Sequence, residues 1–143
     1  MGNEQARAEL EKLRELNVRI DALIEEKEKL AARVTSLARP LSEPVSGTRH
    51  SDIANAAVKL ADMGREIDRT IDEYSERKKR ILIRINAIKD VRYKSLLFLY
   101  YANTVPLRLH EVAKIMHYQY STVKGLHGCA LDAYQKKYFG RHV

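Results

Sequence analysis

The run MHYQYSTVKGLHGCAL, Met116 to Leu131, holds most of the side chains in this chain that could do chemistry. Gln119, Tyr120, Ser121 and Thr122 form a polar first turn ahead of Val123, Leu126 and Ala130, which follow at helical spacing. Amides and hydroxyls in the first turn of a helix can bond the edges of bases in a major groove. The plainer role for Gln119 and Ser121 is to cap the helix by accepting from its free N–H groups. Tyr120 can lie against a sugar or phosphate, or close the core of the turn. Lys124, one turn on, offers a cation to phosphate or base, or simply to water.

Other chemistries find little footing. His127 and Cys129 are two apart and do not face each other on a helix, so they do not make a metal pair. His127 projects to the edge of the packed side, as a satisfied core-edge histidine does. Nothing in their spacing brings His110, His117 and Cys129 together. Cys129 as a nucleophile would need a base and a positive setting. No Gly-rich phosphate loop, metal-ligand spacing or carboxylate pair is visible. The chain is expected not to be an enzyme and to carry no cofactor or metal.

On a helical wheel, Val123, Leu126, Ala130 and Tyr134 gather on one side. Ser121, Gly125, Gly128 and Asp132 gather on the other, so both glycines point outward. Each costs about 1 kcal/mol against Ala in a helix. A face of small residues lets a groove edge or another helix come close to the backbone.

Charge points the same way. The chain carries a formal +7. Residues 1–50 hold nine basic and nine acidic residues, 51–89 nine and seven, and 90–143 eight and three. Of ten Tyr and Phe, only Tyr74 precedes residue 90. Two composition breaks at one place predict a domain boundary near Asp90, with the basic side suited to an anionic partner. A single cysteine excludes an internal disulfide and fits a reducing interior. No apolar run reaches the roughly 20 residues needed to span a membrane. No signal-peptide pattern opens the chain, and Ala6 stands where a myristoylation site wants Ser or Thr.

The elements that must position these residues are helices. Leu16, Leu23, Leu30 and Leu37 fall seven apart, with Leu13, Ile20, Lys27 and Val34 filling the second seam position. A helix is predicted over residues 3–39, ended by Pro40 and Pro44. The linker 40–50 is rich in Pro, Ser and Gly. Ser51 is the expected N-cap of a second helix over 51–89, aided by Asp52. Its seam is Ile53, Leu60, Ile67, Tyr74, Ile81 and Ile88, with Ala57, Gly64, Ile71, Lys78 and Ile85 as the companion row. These helices satisfy their stripes either as an antiparallel hairpin or between two chains; the heptads fit both. The RKKR run at 77–80 lies mostly off the seam, as a solvated face does, or beside the basic region as a phosphate contact.

Beyond the break, Asp90 can cap VRYKSLLFLYYAN, with Leu96, Leu97, Tyr100 and Tyr101 inward. NTVP interrupts. LRLHEVAKIM (107–116) follows, with Leu109, Val112, Ala113 and Met116 as its inner face. HYQ makes a turn, and Tyr120 to about Tyr138 a longer helix. Short helix, tight turn and longer helix is a helix-turn-helix layout.

The segments L-L-x-L-Y-Y, E-V-A-x-I-M-x-Y and V-x-x-L-H-G-x-A-L make the last fifty residues resemble the sigma-factor region 4-like domain of small phage-encoded proteins. These include the ArpU/RinA-like late transcription regulators and uncharacterised relatives. SGTRHSDIANAAVKLADMGREID resembles the stretch that precedes the domain in such a relative. The resemblance implies a three-helix DNA-binding domain with Tyr120 to Lys137 as recognition helix. Gly125 and Cys129 stand where such proteins often carry basic residues, and Gln119 where Ser is usual.

The expectation is therefore an all-α chain, with two long coiled-coil-like helices (1–89) followed by a small helix-turn-helix domain (90–143). The expected function is sequence-specific DNA binding by a phage or prophage transcriptional regulator in the bacterial cytoplasm. Candidate DNA contacts are Gln119, Tyr120, Ser121, Thr122, Lys124, Gly125, Gly128, Arg108 and Lys136, the last within a basic tail that includes Lys137 and Arg141. Expected partners are double-stranded DNA, a second copy through the long helices, and no membrane. The alternative is a non-enzymatic helical adaptor or scaffold docking on RNA polymerase or a phage assembly component.

Overall fold

The computed structural model describes residues 2–37 and 47–140. Their order is α1 (Glu4–Leu37), α2 (Gly47–Asn86), α3 (Val91–Leu97) running into a π-helical segment (Phe98–Ala102), α4 (Leu109–Met116) and α5 (Tyr120–Phe139). The fold is all-α, with no strand among the described residues. No helix among them is long and apolar enough to cross a membrane.

The helix limits follow local chemistry. Termination of α1 by Pro40 and Pro44, and most of the predicted linker, lie outside the described residues. The second helix does not start at Ser51: α2 already runs from Gly47. Past Pro44 no residue is barred from helical geometry, and adding a turn to an existing helix needs no new nucleus. At its other end α2 stops at Asn86 rather than 89. A tight bond from the Ile88 N–H to the Ile85 carbonyl (3.0 Å) closes it. Asp90 then caps α3, its carboxylate accepting from the N–H groups of Arg92 and Tyr93.

The chain divides into two compact units, residues 19–72 and residues 1–18 with 73–143. The composition break at Asp90 is thus not where packing divides: the unit holding residues 90–143 also takes in 1–18 and 73–89.

In residues 19–72, α1 and α2 run antiparallel within the one chain. Arg19 is ion-paired with Glu66, and the Lys27 amine lies against Gly64. Leu30, Val34 and Leu37 share a groove with Asp52, Ala56 and Lys59. Ile20 and Ile67 are buried, and so is Thr70, whose hydroxyl donates to the Glu66 carbonyl (2.8 Å). The companion row of α2 here is not the expected one. Ala57 and Ile71 are exposed, while Ala56, Met63 and Thr70, one residue earlier, are half-buried or buried. Rows three and four residues from the Ile53–Leu60–Ile67 row both border it on a helix. Rotation of α2 against α1 chooses between them.

In the other unit the main core joins Leu10 and Leu13 of α1, Ile81 and Ile85 of α2, Leu97, Tyr101, and Ala130, Leu131 and Tyr134 of α5. A second, smaller core of Leu96, Val112, Ala113 and Val123 sits under the α4–α5 turn. The α1 side chains also serve the backbone. The π-helical segment leaves carbonyls without helical partners. Arg14 Nη1 donates to the Tyr100 carbonyl (2.8 Å), and Asn17 Nδ2 to those of Asn103 (3.2 Å) and Thr104 (3.0 Å).

Candidate nucleic-acid interface

The surface of interest is built by α4, the three residues His117–Gln119, and the first half of α5. Arg108 is extended (φ −81°, ψ 157°) just ahead of α4. Glu111 reaches back to accept from the Arg108 N–H at 2.7 Å, which holds the helix start. α4 ends in a left-handed His117 (φ 63°, ψ 37°). The Tyr118 N–H bonds to the Ala113 carbonyl (3.0 Å) and the His117 N–H to that of Lys114 (3.2 Å). This is the Schellman pattern, with His where Gly is usual. The reversal seats Ala113 and Val112 against Val123 of α5.

The first turn of α5 then faces solvent. Gln119 has N-cap backbone geometry (φ −73°, ψ 151°), but its side chain makes no capping bond. The capping role expected of Gln119 is therefore not taken up, and its amide is left exposed. Ser121 and Thr122 are exposed as well. Tyr120 does not close the core: it is 49% exposed. Its ring meets His110 edge-on (6.5 Å between centroids), and the Lys124 amine lies 5.3 Å from its centre. Gly125 and Gly128 are in helical backbone, and a methyl group added at either would touch nothing within 4 Å. No internal packing demands a glycine at these two positions.

Seven of the nine candidates thus lie together on α5, from Gln119 to Gly128, with Arg108 at the head of the neighbouring helix. Lys136 is apart, about 18 Å along α5 from Lys124 by helical rise. It lines a recess with Gly2, Glu4, Gln5 and Asp132. Arg141 lies outside the described residues. Lys114, His117 and Tyr118 are exposed on the same α4–α5 surface and escaped the sequence reading. Their signal was there in part: Lys114 and His117 fall off the apolar face of α4. What was missing was the direction of the turn.

Charge pairing separates this region from the long helices. Ion pairs in α1 and α2 include Arg7–Glu11, Arg19–Glu66, Arg65–Asp62, Arg77–Glu73 and Arg84–Glu9. From residue 90 on, the described residues make one pair, Arg92–Asp90 at 3.1 Å. Its hydrogen bonds hold the Asp90 carboxyl below the usual range and raise Arg92. Arg108, Lys114 and Lys124 have no carboxylate partner among the described residues. RKKR divides similarly: Arg77 is paired with Glu73, Lys78 lies over the Tyr74 ring (5.4 Å), and Lys79 and Arg80 are exposed.

Behind the surface, His127 is half-buried at the core edge, as its spacing suggested, with Nε2 2.6 Å from the Tyr101 hydroxyl. Burial and, second, the positive charge of Arg7 push its pKa down to about 4. Cys129 is exposed and unbridged. No group of three or more His, Cys, Asp or Glu residues able to hold a metal occurs among the described residues.

No protein-family model, curated protein or solved structure matches this chain. The functional reading therefore stands on the residues and their geometry.

Proposed function

We propose that this chain is a phage or prophage transcriptional regulator that binds double-stranded DNA through α4 and α5, used as a sigma region 4-like helix-turn-helix. α5 is the recognition helix. Gln119, Tyr120, Ser121 and Thr122 address base edges, Lys124 and Arg108 contact phosphates, and Gly125 and Gly128 permit close approach of the groove wall. The observation that carries this reading is the partition of charge. Arg108, Lys114 and Lys124 are exposed and unpaired around a polar, unobstructed helix start, and residues 90–143 carry eight basic against three acidic residues, whereas α1 and α2 are nearly balanced and match six of their described cations with carboxylates. Unpaired cations beside unused hydrogen-bonding groups suit a polyanion whose bases carry information.

The test is fluorescence anisotropy with duplex fragments enriched from host and phage DNA, across a salt series. The expected result is binding at low salt with log K falling linearly in log salt, by about 0.9 per phosphate neutralised. Lys124→Glu should weaken it and flatten the slope. Absence of any DNA affinity at low salt removes the proposal.

A second reading has a specific observation behind it. Ile115 is 50% exposed on α4, and the open α5 glycines suit a protein helix as well as a groove. In that reading the unit is an adaptor on RNA polymerase or a phage assembly component. Gly125→Leu discriminates, because the added side chain meets nothing of the chain itself. Loss of a protein partner by Gly125→Leu, with Lys124→Glu harmless, favours the adaptor. Loss of DNA binding by Lys124→Glu favours the regulator.

A further inference from the structure

Between residues 19 and 72 the α1–α2 pair leaves much of its apolar surface wet. Ile20 and Ile67 are its buried apolar side chains among the described residues, while Leu23, Leu30, Val34, Ile53 and Leu60 of the same seam remain half-exposed. Two helices meeting along one line cannot shield stripes 100° wide. One side of the pair groups Ile24 and Ile71, two of the large apolar side chains that residues 19–72 expose. Ile24, Lys27, Glu28 and Ala31 of α1 line a shallow groove of about 310 Å³ with Ile67 of α2. One turn before Ile67, Gly64 continues that side, with the Lys27 amine 3.3 Å from where its Cβ would stand. One turn after comes Ile71. Ile24 is 37% exposed and Ile71 38%.

We propose that this side, centred on Ile24, Lys27, Glu28, Gly64 and Ile71, docks a second copy of the chain, hairpin against hairpin, as a twofold four-helix bundle. Charge favours a second copy over another partner. Lys27 and Glu28 are adjacent on the face, and neither has an ion-pair partner among the described residues. A twofold axis sets Lys27 of each copy against Glu28 of the other, so the patch is its own electrostatic complement. A partner of one sign would leave Lys27 or Glu28 opposed to like charge.

Size agrees. From Arg19 to Leu37, α1 is about 28 Å long, and two helices side by side are about 20 Å wide. Such a face offers on the order of 550 Å² per copy, which just clears the roughly 1,000 Å² total of a specific interface. Ala31, small and half-exposed, lets the backbones approach. This inference does not rest on the DNA reading.

The mass of the full chain by light scattering at high micromolar concentration tests it. The expected mass is twice the 16.5 kDa of one chain. Ile71→Glu should give the single-chain mass with helical circular dichroism intact. Glu28→Lys should raise the dissociation constant about tenfold or more, worth about 1.4 kcal/mol. Lys27→Glu together with Glu28→Lys should restore it, because the swapped pair is again self-complementary. Should Ile71→Glu lose its helicity, the charge reversal and its rescue decide. A monomeric wild type overturns the proposal. So does a dimer whose dissociation neither Ile71→Glu nor Glu28→Lys moves.

Discussion

The Tyr101 hydroxyl and the His127 Nε2 lie 2.6 Å apart, tying the π-helical segment to the middle of α5. Both groups are neutral at pH 7. Burial raises the Tyr101 pKa and, with Arg7, lowers that of His127 to about 4. Tyr100 packs on both rings, and the Arg14 guanidinium covers Tyr100 at 4.2 Å.

This pair predicts a pH response. Between pH 6.5 and about 4 the unfolded chain protonates His127 and the folded chain resists, so stability falls as pH falls through that window and levels below it. Above pH 6.5 the group contributes nothing to the slope. Asp90, whose pKa is lowered, acts only as pH drops below the usual carboxylate range. Melting temperature measured by circular dichroism from pH 7.5 to 4 should show the decline, and His127→Gln should reduce its steepness in the upper part of the window.

Glu9, Arg84 and Tyr134 clip three helices together. Arg84 Nη1 is 2.9 Å from both Glu9 carboxylate oxygens, the Tyr134 hydroxyl donates to Glu9, and the Tyr138 hydroxyl donates to the Arg84 carbonyl (2.8 Å). Burial opposes the Arg84 charge, but Glu9 and Tyr134 together outweigh it and the pKa is raised. Removing one partner leaves the other half-buried and unpaired. Glu9→Gln should cost about 2–3 kcal/mol in urea denaturation. Tyr134→Phe should cost about 1 kcal/mol, and the double variant less than the sum.

The α1 side chains that satisfy the π-helical segment predict a remote effect. Asn17→Leu removes the donor to the Asn103 and Thr104 carbonyls and should destabilise by about 1–3 kcal/mol. Leu10→Ala in the shared core should cost about 2–5 kcal/mol. A fragment of residues 90–143 alone lacks Leu10, Leu13, Ile81 and Ile85, and should give the poorly dispersed amide spectrum of an unfolded chain. A well-dispersed spectrum from that fragment would contradict the shared core.

Gly125→Ala and Gly128→Ala should each stabilise the chain by about 1 kcal/mol, because helix propensity improves and nothing lies within 4 Å of the added methyl. The check is a rise in melting temperature for each. If the open face serves DNA, the same variants should bind duplex more weakly despite melting higher.

Much of this molecule was legible in its residues alone. Sevenfold spacing of Leu and Ile specified two long helices. Asp90 announced the cap of α3, and the polar run from Gln119 to Thr122 marked the exposed start of α5. These are local facts, set by periodicity and by which side chains can reach their own backbone. Which of two adjacent rows of α2 meets α1 was not local. Ala56, Met63 and Thr70 displace Ala57 and Ile71 by a rotation the heptad leaves free. Nor could composition reveal that Leu10, Leu13, Arg14 and Asn17 belong to the unit of α3–α5. Glu9 lies seventy-five residues from Arg84 in sequence, and Arg84 reads there as a surface charge until folding brings its carboxylate within reach. Patterns of spacing report what one helix needs to bury, and only the packed chain decides what buries it.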